Sequence, residues 1–182
     1  LNLAIDRLIG EKEKALISLK KKSHRIAQSI KVDEKGIQRL EFKIIIGLDE
    51  MVKKVMEMLQ EAKKDILAIS SASTILYHIE YLPLWMNLRS RGVSLRILLY
   101  PDIEKTERLK PWIDSGALMK LFTQKNIHHK LIVDDSVALA YVNCEDQIKP
   151  SDFAFWTNHK EIVKKSREKF EEIWDKAKLY KP

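Results

Sequence analysis

Apolar side chains recur in alternating steps of four and three over residues 1–31. Leu1, Ile5, Leu8, Ala15, Leu19 and Ile26 fall on one ladder, and Lys12 and Lys22 fill its other rungs. A ladder of this length predicts a helix that pairs with a second copy as a two-stranded coiled coil. The lysines weaken such a seam and help set its register or oligomeric state. Gly10 is a soft point, costing about 1 kcal/mol relative to alanine. The alternative is a helix that lies along its own domain. VDEKG at 32–36 reads as a turn-like boundary. The chain therefore divides into a helical dimerisation arm, 1–36, and a domain, 37–182.

From residue 41 strand and helix signals alternate. FKIIIG (42–47) reads as a buried strand. Residues 50–63 form an amphipathic helix with Met51, Val52, Val55, Leu59 and Ala62 on one face. DILAIS (65–70) is a second strand, and SSAST after it is a loop. Pro83 opens a helix that Gly92 closes. VSLRILLY (93–100) is almost continuously apolar, as a strand covered on both faces is. A helix over 103–114 turns at Gly116 into ALMKLF (117–122). HHKLIVDD (128–135) and SVALAYV (136–142) are adjoining strands with a tight connection. FAFWT (153–157) is one more short strand. A closing helix spans about 159 to 178, striped by Ile162, Val163, Ser166, Phe170, Ile173, Trp174 and Ala177. This alternation predicts an α/β domain with a parallel or mixed sheet flanked by helices.

The hairpin carries the candidate chemistry. Side chains alternate along a strand, so His129, Leu131 and Val133 face one way and His128, Lys130 and Ile132 the other. His128 and Lys130 thus share a face, as joint contact with one phosphate requires. In such a site a histidine attacks phosphorus and a lysine neutralises the non-bridging oxygens. A carboxylate, Asp135 or its neighbour Asp134, orients the imidazole. The bland alternative is an ordinary buried hairpin. Ser70, Ser71 and Ser73 lie just past a strand's C-terminal end, where open α/β sheets bind ligands. Trp156 and Asn158 either line the same crevice or serve as a core tryptophan and a helix cap. Trp85, Trp112 and Trp174 read as core or interface anchors. Adjacent strand residues face opposite sides, so His128 and His129 do not readily share one ion. With one cysteine, no metal site and no cofactor are expected.

Composition narrows the classes. The 182 residues are 45% hydrophobic and 32% charged, which fits a globular chain. No apolar run approaches the roughly 18 residues of a membrane span, so no membrane partner is expected. The lone Cys144 excludes an internal disulfide and suggests a reducing, cytoplasmic setting. The net charge is +7. Residues 1–43 hold 11 basic and 6 acidic side chains, and the other 139 hold 22 and 20. The surplus sits in the arm, and the nearly neutral remainder is not expected to bind nucleic acid strongly by itself. The chain begins at Leu1, not Met, from which a missing upstream segment is expected.

His128, Lys130 and Asp135 resemble the His-x-Lys-x4-Asp signature of the phospholipase D superfamily, and the element order from residue 41 resembles one phospholipase D-like half. The resemblance implies a phospholipase D-like mixed sheet. It also implies that an active site would need two facing copies of the motif, hence a homodimer. Where the superfamily carries Gly-Ser and then Asn, this chain has Val142, Asn143 and Glu145, and the added carboxylate tells against a bound phosphodiester. A narrower resemblance lies at the ends. Residues 153–178 are similar to the closing segment of archaeal TrmB-like transcriptional regulators. EMVKKVMEMLQEAKKDILAIS and LRSRGVSLRILLYP resemble their early strands, and the arm fits their coiled-coil linker. This implies an effector-sensing, dimerising domain that reaches DNA only through a separate winged helix-turn-helix. The chain ends eight residues after Trp174, without the extra β domain of the sugar-sensing members, so a sugar is not the expected ligand. The expected effector is small and anionic, held near His128, Lys130, Asn143, Ser70 and Ser71. The rival is a homodimeric phosphodiesterase or nuclease with His128, Lys130 and Asp135 as its catalytic set.

Overall fold

The computed structural model describes residues 40–100, 107–123, 129–142 and 153–180. The expected coiled-coil arm, 1–36, lies outside the described residues, as do His128, Asn143 and the first part of the helix expected over 103–114. The elements are β1 (Phe42–Ile46), α1 (Leu48–Glu61), β2 (Asp65–Ser71), α2 (Ala72–Tyr77), a 3-10 turn (Ile79–Tyr81) and α3 (Leu82–Ser90). They continue with β3 (Ser94–Tyr100), a 3-10 turn (Glu107–Leu109), α4 (Lys110–Asp114), β4 (Leu118–Leu121), β5 (Lys130–Val133) and β6 (Val137–Val142). The last are β7 (Phe153–Thr157), α5 (Lys160–Lys176) and β8 (Lys178–Leu179).

Eight strands form one mixed sheet in the order β1-β7-β6-β5-β2-β3-β4-β8. β2, β3 and β4 run parallel, whereas β5, β6, β7 and β8 join by antiparallel pairings. All seven residues of β2 are buried. Its alternate side chains feed two cores, as the period of two requires. Ile66 and Ala68 join Leu95, Ile97, Leu131 and Val133 under Met51, Met58, Trp85 and Trp112 of the α1–α4 layer. Leu67 and Ile69 join Leu98 and Ile132 under Val163, Phe170 and Ile173 of α5. The strand faces read from the hairpin sequence are therefore the ones observed for Leu131, Ile132 and Val133.

Some expected elements differ. The SSAST segment is not a loop throughout, because Ser71 caps α2, its Oγ accepting from Thr74 N at 3.2 Å. Serine signals a turn and a helix start alike, and the capping geometry decides between them. β8 has no counterpart in the sequence reading. Two residues carry no period, and the strand exists because Ala177 is extended and Tyr180 N donates to Met119 O. Ile162, placed on the buried stripe of the closing helix, is 38% exposed. Gly116 does end α4 as expected, at φ 92°, a left-handed conformation that suits glycine.

One polar cluster ties the layers together. Asp134, in the β5–β6 turn, has φ 52°. Its Oδ1 accepts from Lys64 N at 2.8 Å and Asp65 N at 3.0 Å, and its Oδ2 from Lys63 N at 3.1 Å. Those bonds offset the strain of a left-handed aspartate. Arg167 of α5 forks onto Asp65, with Nη1 donating to Oδ2 at 2.8 Å and Nη2 to Oδ1 at 2.6 Å. Nη2 also donates to Asp134 O at 2.6 Å. Arg167 Nε stands 2.7 Å from Asp135 Oδ1, an ion pair in which the N–H does not point along the contact. One helix turn on, Glu171 takes both Nη groups of Arg96 on β3, at 2.7 and 2.6 Å.

Arg167 and Asp65 are only 17% and 9% exposed at their side chains, so removing either leaves a charge stranded. Arg167→Met should lower the unfolding free energy by about 3 kcal/mol in urea denaturation. A loss below about 0.5 kcal/mol would equate the fork with a surface ion pair.

Candidate functional site

The hairpin register builds a polar row across three central strands. β2 pairs with β5 so that Ile69 faces Lys130, and β5 pairs with β6 so that Lys130 faces Ala140. One step further along, Ser70, His129 and Tyr141 stand side by side at the C-terminal end of β2. Tyr141 N donates to His129 O at 3.0 Å. Ser70 Oγ and His129 Nδ1 are 3.4 Å apart, at the long limit of a hydrogen bond. Both residues are buried, at 6% and 8% exposure. The imidazole stacks on Tyr100 with centroids 5.7 Å apart and meets Tyr141 edge-on at 6.4 Å. Burial raises the Tyr100 phenol to about 12, so it remains a neutral hydroxyl through the physiological range.

Lys130 points to the α5 side of the sheet, with Ile132, and is half-buried. Burial pushes its ammonium below the ordinary lysine range, and the Lys169 charge on α5 pushes it further. Among the described residues no carboxylate pairs with this cation, an arrangement that favours an incoming anion. Ser70 belongs to this end of the sheet. Ser71 also lies there, but its hydroxyl is committed to the α2 cap and meets Thr74 Oγ1 at 3.0 Å.

Asp135 stands elsewhere. Four strand residues at about 3.3 Å each put roughly 13 Å of β5 between the row at Ser70 and the hairpin turn. Asp135 pairs with Arg167 at 2.7 Å and with Lys64 at 3.2 Å, and Asp134 is bound to the backbone of 63–65. Neither carboxylate reaches the imidazole of His129. The orienting role expected for Asp135 concerned His128, which lies outside the described residues; among the described residues Asp135 meets Arg167 and Lys64 in the hairpin turn.

Sequence reasoning passed over His129, Tyr100 and Tyr141 as site residues. The period of two already put His129 opposite Lys130, and only the register with β2 and β6 supplies its neighbours. Trp156 is a core residue of β7, with Lys43 and Lys54 Nζ 5.1 and 4.4 Å from its ring centroid. The last helix has His159 at its N-cap, without a side-chain capping bond, and Thr157 Oγ1 accepts from His159 N at 3.0 Å in the turn that leads into it. Among the described residues no three His, Cys, Asp or Glu side chains gather as a metal site, and no helix is long and apolar enough to cross a membrane.

No family model matches this chain, and no curated protein matches it in sequence. Solved structures do match in fold. One is TrmBL2, described as an archaeal chromatin protein with a novel mode of DNA binding. It has a TM-score of 0.60 at 22% identity, over 96% of this chain and 66% of that one. A second is Nuc of Salmonella typhimurium, a phospholipase D family member, with a TM-score of 0.60 at 15% identity over 79% of this chain and 100% of that one. A third is NucT of Helicobacter pylori, with a TM-score of 0.58 at 11% identity over 78% of this chain and 100% of that one. At these identities the likeness establishes the fold, which is phospholipase D-like, and the fold serves more than one function.

The depressed Lys130 fixes a pH signature. The folded chain holds this proton less tightly than the unfolded chain, so below the folded pKa the buried charge costs stability. That cost fades as pH rises through the folded pKa toward the unfolded value of roughly 10.4. Whatever its stability relative to wild type at neutral pH, a Lys130→Met variant should lose ground against it as pH rises. Denaturation at about pH 7 and about pH 10 checks this, and a pH-independent difference would contradict it.

Proposed function

We infer that this chain is the effector-sensing and dimerisation part of a TrmB-like transcriptional regulator, joined in the whole protein to a winged helix-turn-helix. The observation that carries this reading is the reach of the likeness to TrmBL2. At 96% of the chain it takes in most of the N-terminal arm, against 79% and 78% for Nuc and NucT. The 66% of TrmBL2 that is spanned leaves room for a DNA-reading head of the kind TrmB-like proteins carry. The arm's a/d ladder supports pairing of two chains.

In this reading a small anion binds at the Lys130 end of the sheet, with Ser70, His128 and Asn143 around it, at or beside the contact between two domains. A ligand moves such an equilibrium only through unequal affinity for its two states. The anion therefore favours one placement of the paired arms, and the arms pass that preference to the heads. Base reading belongs to the heads, because it needs an element that enters a groove. The protein works in the cytoplasm, where DNA and metabolites meet.

The second reading is a homodimeric phosphodiesterase or nuclease. Its supports are the His128, Lys130 and Asp135 triplet and the likeness to Nuc. Against it stand Val142, Asn143 and Glu145, where the superfamily carries Gly-Ser and then Asn.

Light scattering should return twice the 21.3 kDa chain mass. In a thermal-shift screen of small anions, at least one should stabilise the chain selectively. Lys130→Ala should remove that gain, which is about 2.7 kcal/mol at one hundred times Kd. A dimer that no anion stabilises would be a plain scaffold, and a monomer would remove the basis for arm-borne signalling.

A further inference from the structure

The polar end of β2 opens into an apolar space. A cavity of about 110 Å³ lies between the sheet and the helices that cover it, walled by Ala68, Ile97, Leu131, Ile75 and Trp85. Ser70, His129 and Lys130 border the same cavity. The anion end and the apolar space are therefore one site. Lys130 is the first residue of β5, so it stands at the end of the strand, and its flexible four-carbon stem lets the ammonium turn over that end from the α5 side toward the cavity mouth.

The walls define the body of what fits. They are aliphatic and aromatic, so a polyol entering here loses its water and gains few partners in exchange. The space is somewhat smaller than the roughly 150 Å³ that accepts benzene, which suits a body of about four or five carbons. The charges define the head. Lys130 is the only lysine or arginine among the described residues that line the cavity. Lys169, whose charge Lys130 feels, is itself paired with Glu172 at 2.8 Å. His78 also borders the cavity, but burial lowers its pKa and keeps it neutral near pH 7. Such a mouth matches a single negative charge and not the dianion of a phosphate monoester. Ser70 Oγ, only 3.4 Å from His129 Nδ1 and so loosely held, rotates freely enough to donate to the incoming anion.

We propose that the ligand of this site is a small monocarboxylate with a compact apolar body, such as a short branched alkanoate. Its body lies on Ala68, Ile97 and Leu131, and its carboxylate meets Ser70 and Lys130. The proposal rests on the anion-binding reading of the Lys130 end given above and adds the class of the anion. A body in the cavity lies between β2, β3 and β5 on one side and α2 and α3 on the other, so its binding couples the sheet to its helical cover.

Acetate, isovalerate and the uncharged isovaleramide are titrated into the whole chain, with NMR shifts read at the Leu131 amide and the Ile97 methyls. Isovalerate should bind about fifty-fold tighter than acetate, near four-fold for each extra carbon buried. Isovaleramide should bind far more weakly than isovalerate, and equal affinity would overturn the role of the charge. Lys130→Met should weaken both carboxylates and keep their ratio. Ala68→Leu, which fills the floor, should bring the ratio toward one; if its spectrum loses dispersion, Ile75→Phe fills the cavity from the α2 side. Isovalerate no tighter than acetate, or a ratio that survives the filled cavity, overturns the proposal and leaves the anion site standing. If neither carboxylate binds, the proposal falls and sulfate decides the anion site itself: binding that Lys130→Met abolishes keeps that site, and no binding removes it as well.

Discussion

One guanidinium holds three parts of this molecule in place. Arg167 forks onto Asp65 at the start of the most buried strand, donates to the carbonyl of Asp134, and stands against Asp135 in the hairpin turn. These contacts fix where α5 lies across the sheet and where the hairpin turns. Phe170 and Ile173 then fall onto Leu67, Leu98 and Ile132. Charges this buried pair at a desolvation cost, and only near-ideal geometry offsets it. A bidentate fork plus a backbone carbonyl meets that condition. The cluster specifies one packing of helix on sheet more than it adds raw stability.

That constraint also decides what the hairpin can do at its other end. With Asp134 and Asp135 committed to the turn, the end near Ser70 has no carboxylate from this motif within reach. Among the described residues, that end holds Ser70, His129, Tyr100, Tyr141 and the half-buried Lys130. Such a set suits holding a ligand: a cation for an anion, rings and a hydroxyl for its body. Asp135 has the same docking role whether the chain senses or cleaves, so its presence in the triplet does not by itself argue for an enzyme.

Much of the fold was legible because two periods are visible in the residues themselves. The alternation in 129–133 separates Leu131 and Val133 from Ile132, and the 3.6-residue stripe picks out Val163, Phe170 and Ile173; both are where the two cores need them. What was not legible depends on pairs distant in sequence. Arg167 and Asp65 are 102 residues apart, and nothing local in KKSREKF marks the arginine as a latch. His129 gained its neighbours only from register. Ser71 was ambiguous because a capping serine and a loop serine look alike.

The account's central claim is that a phospholipase D-like half serves here as a sensor and not as a phosphodiesterase. The most direct test is to incubate the chain with single-stranded DNA, double-stranded DNA and an activated phosphodiester beside a His128→Ala variant. The account predicts hydrolysis no faster than the variant's from a folded dimer. Turnover that the variant loses would contradict it and would demand an active site built by two chains.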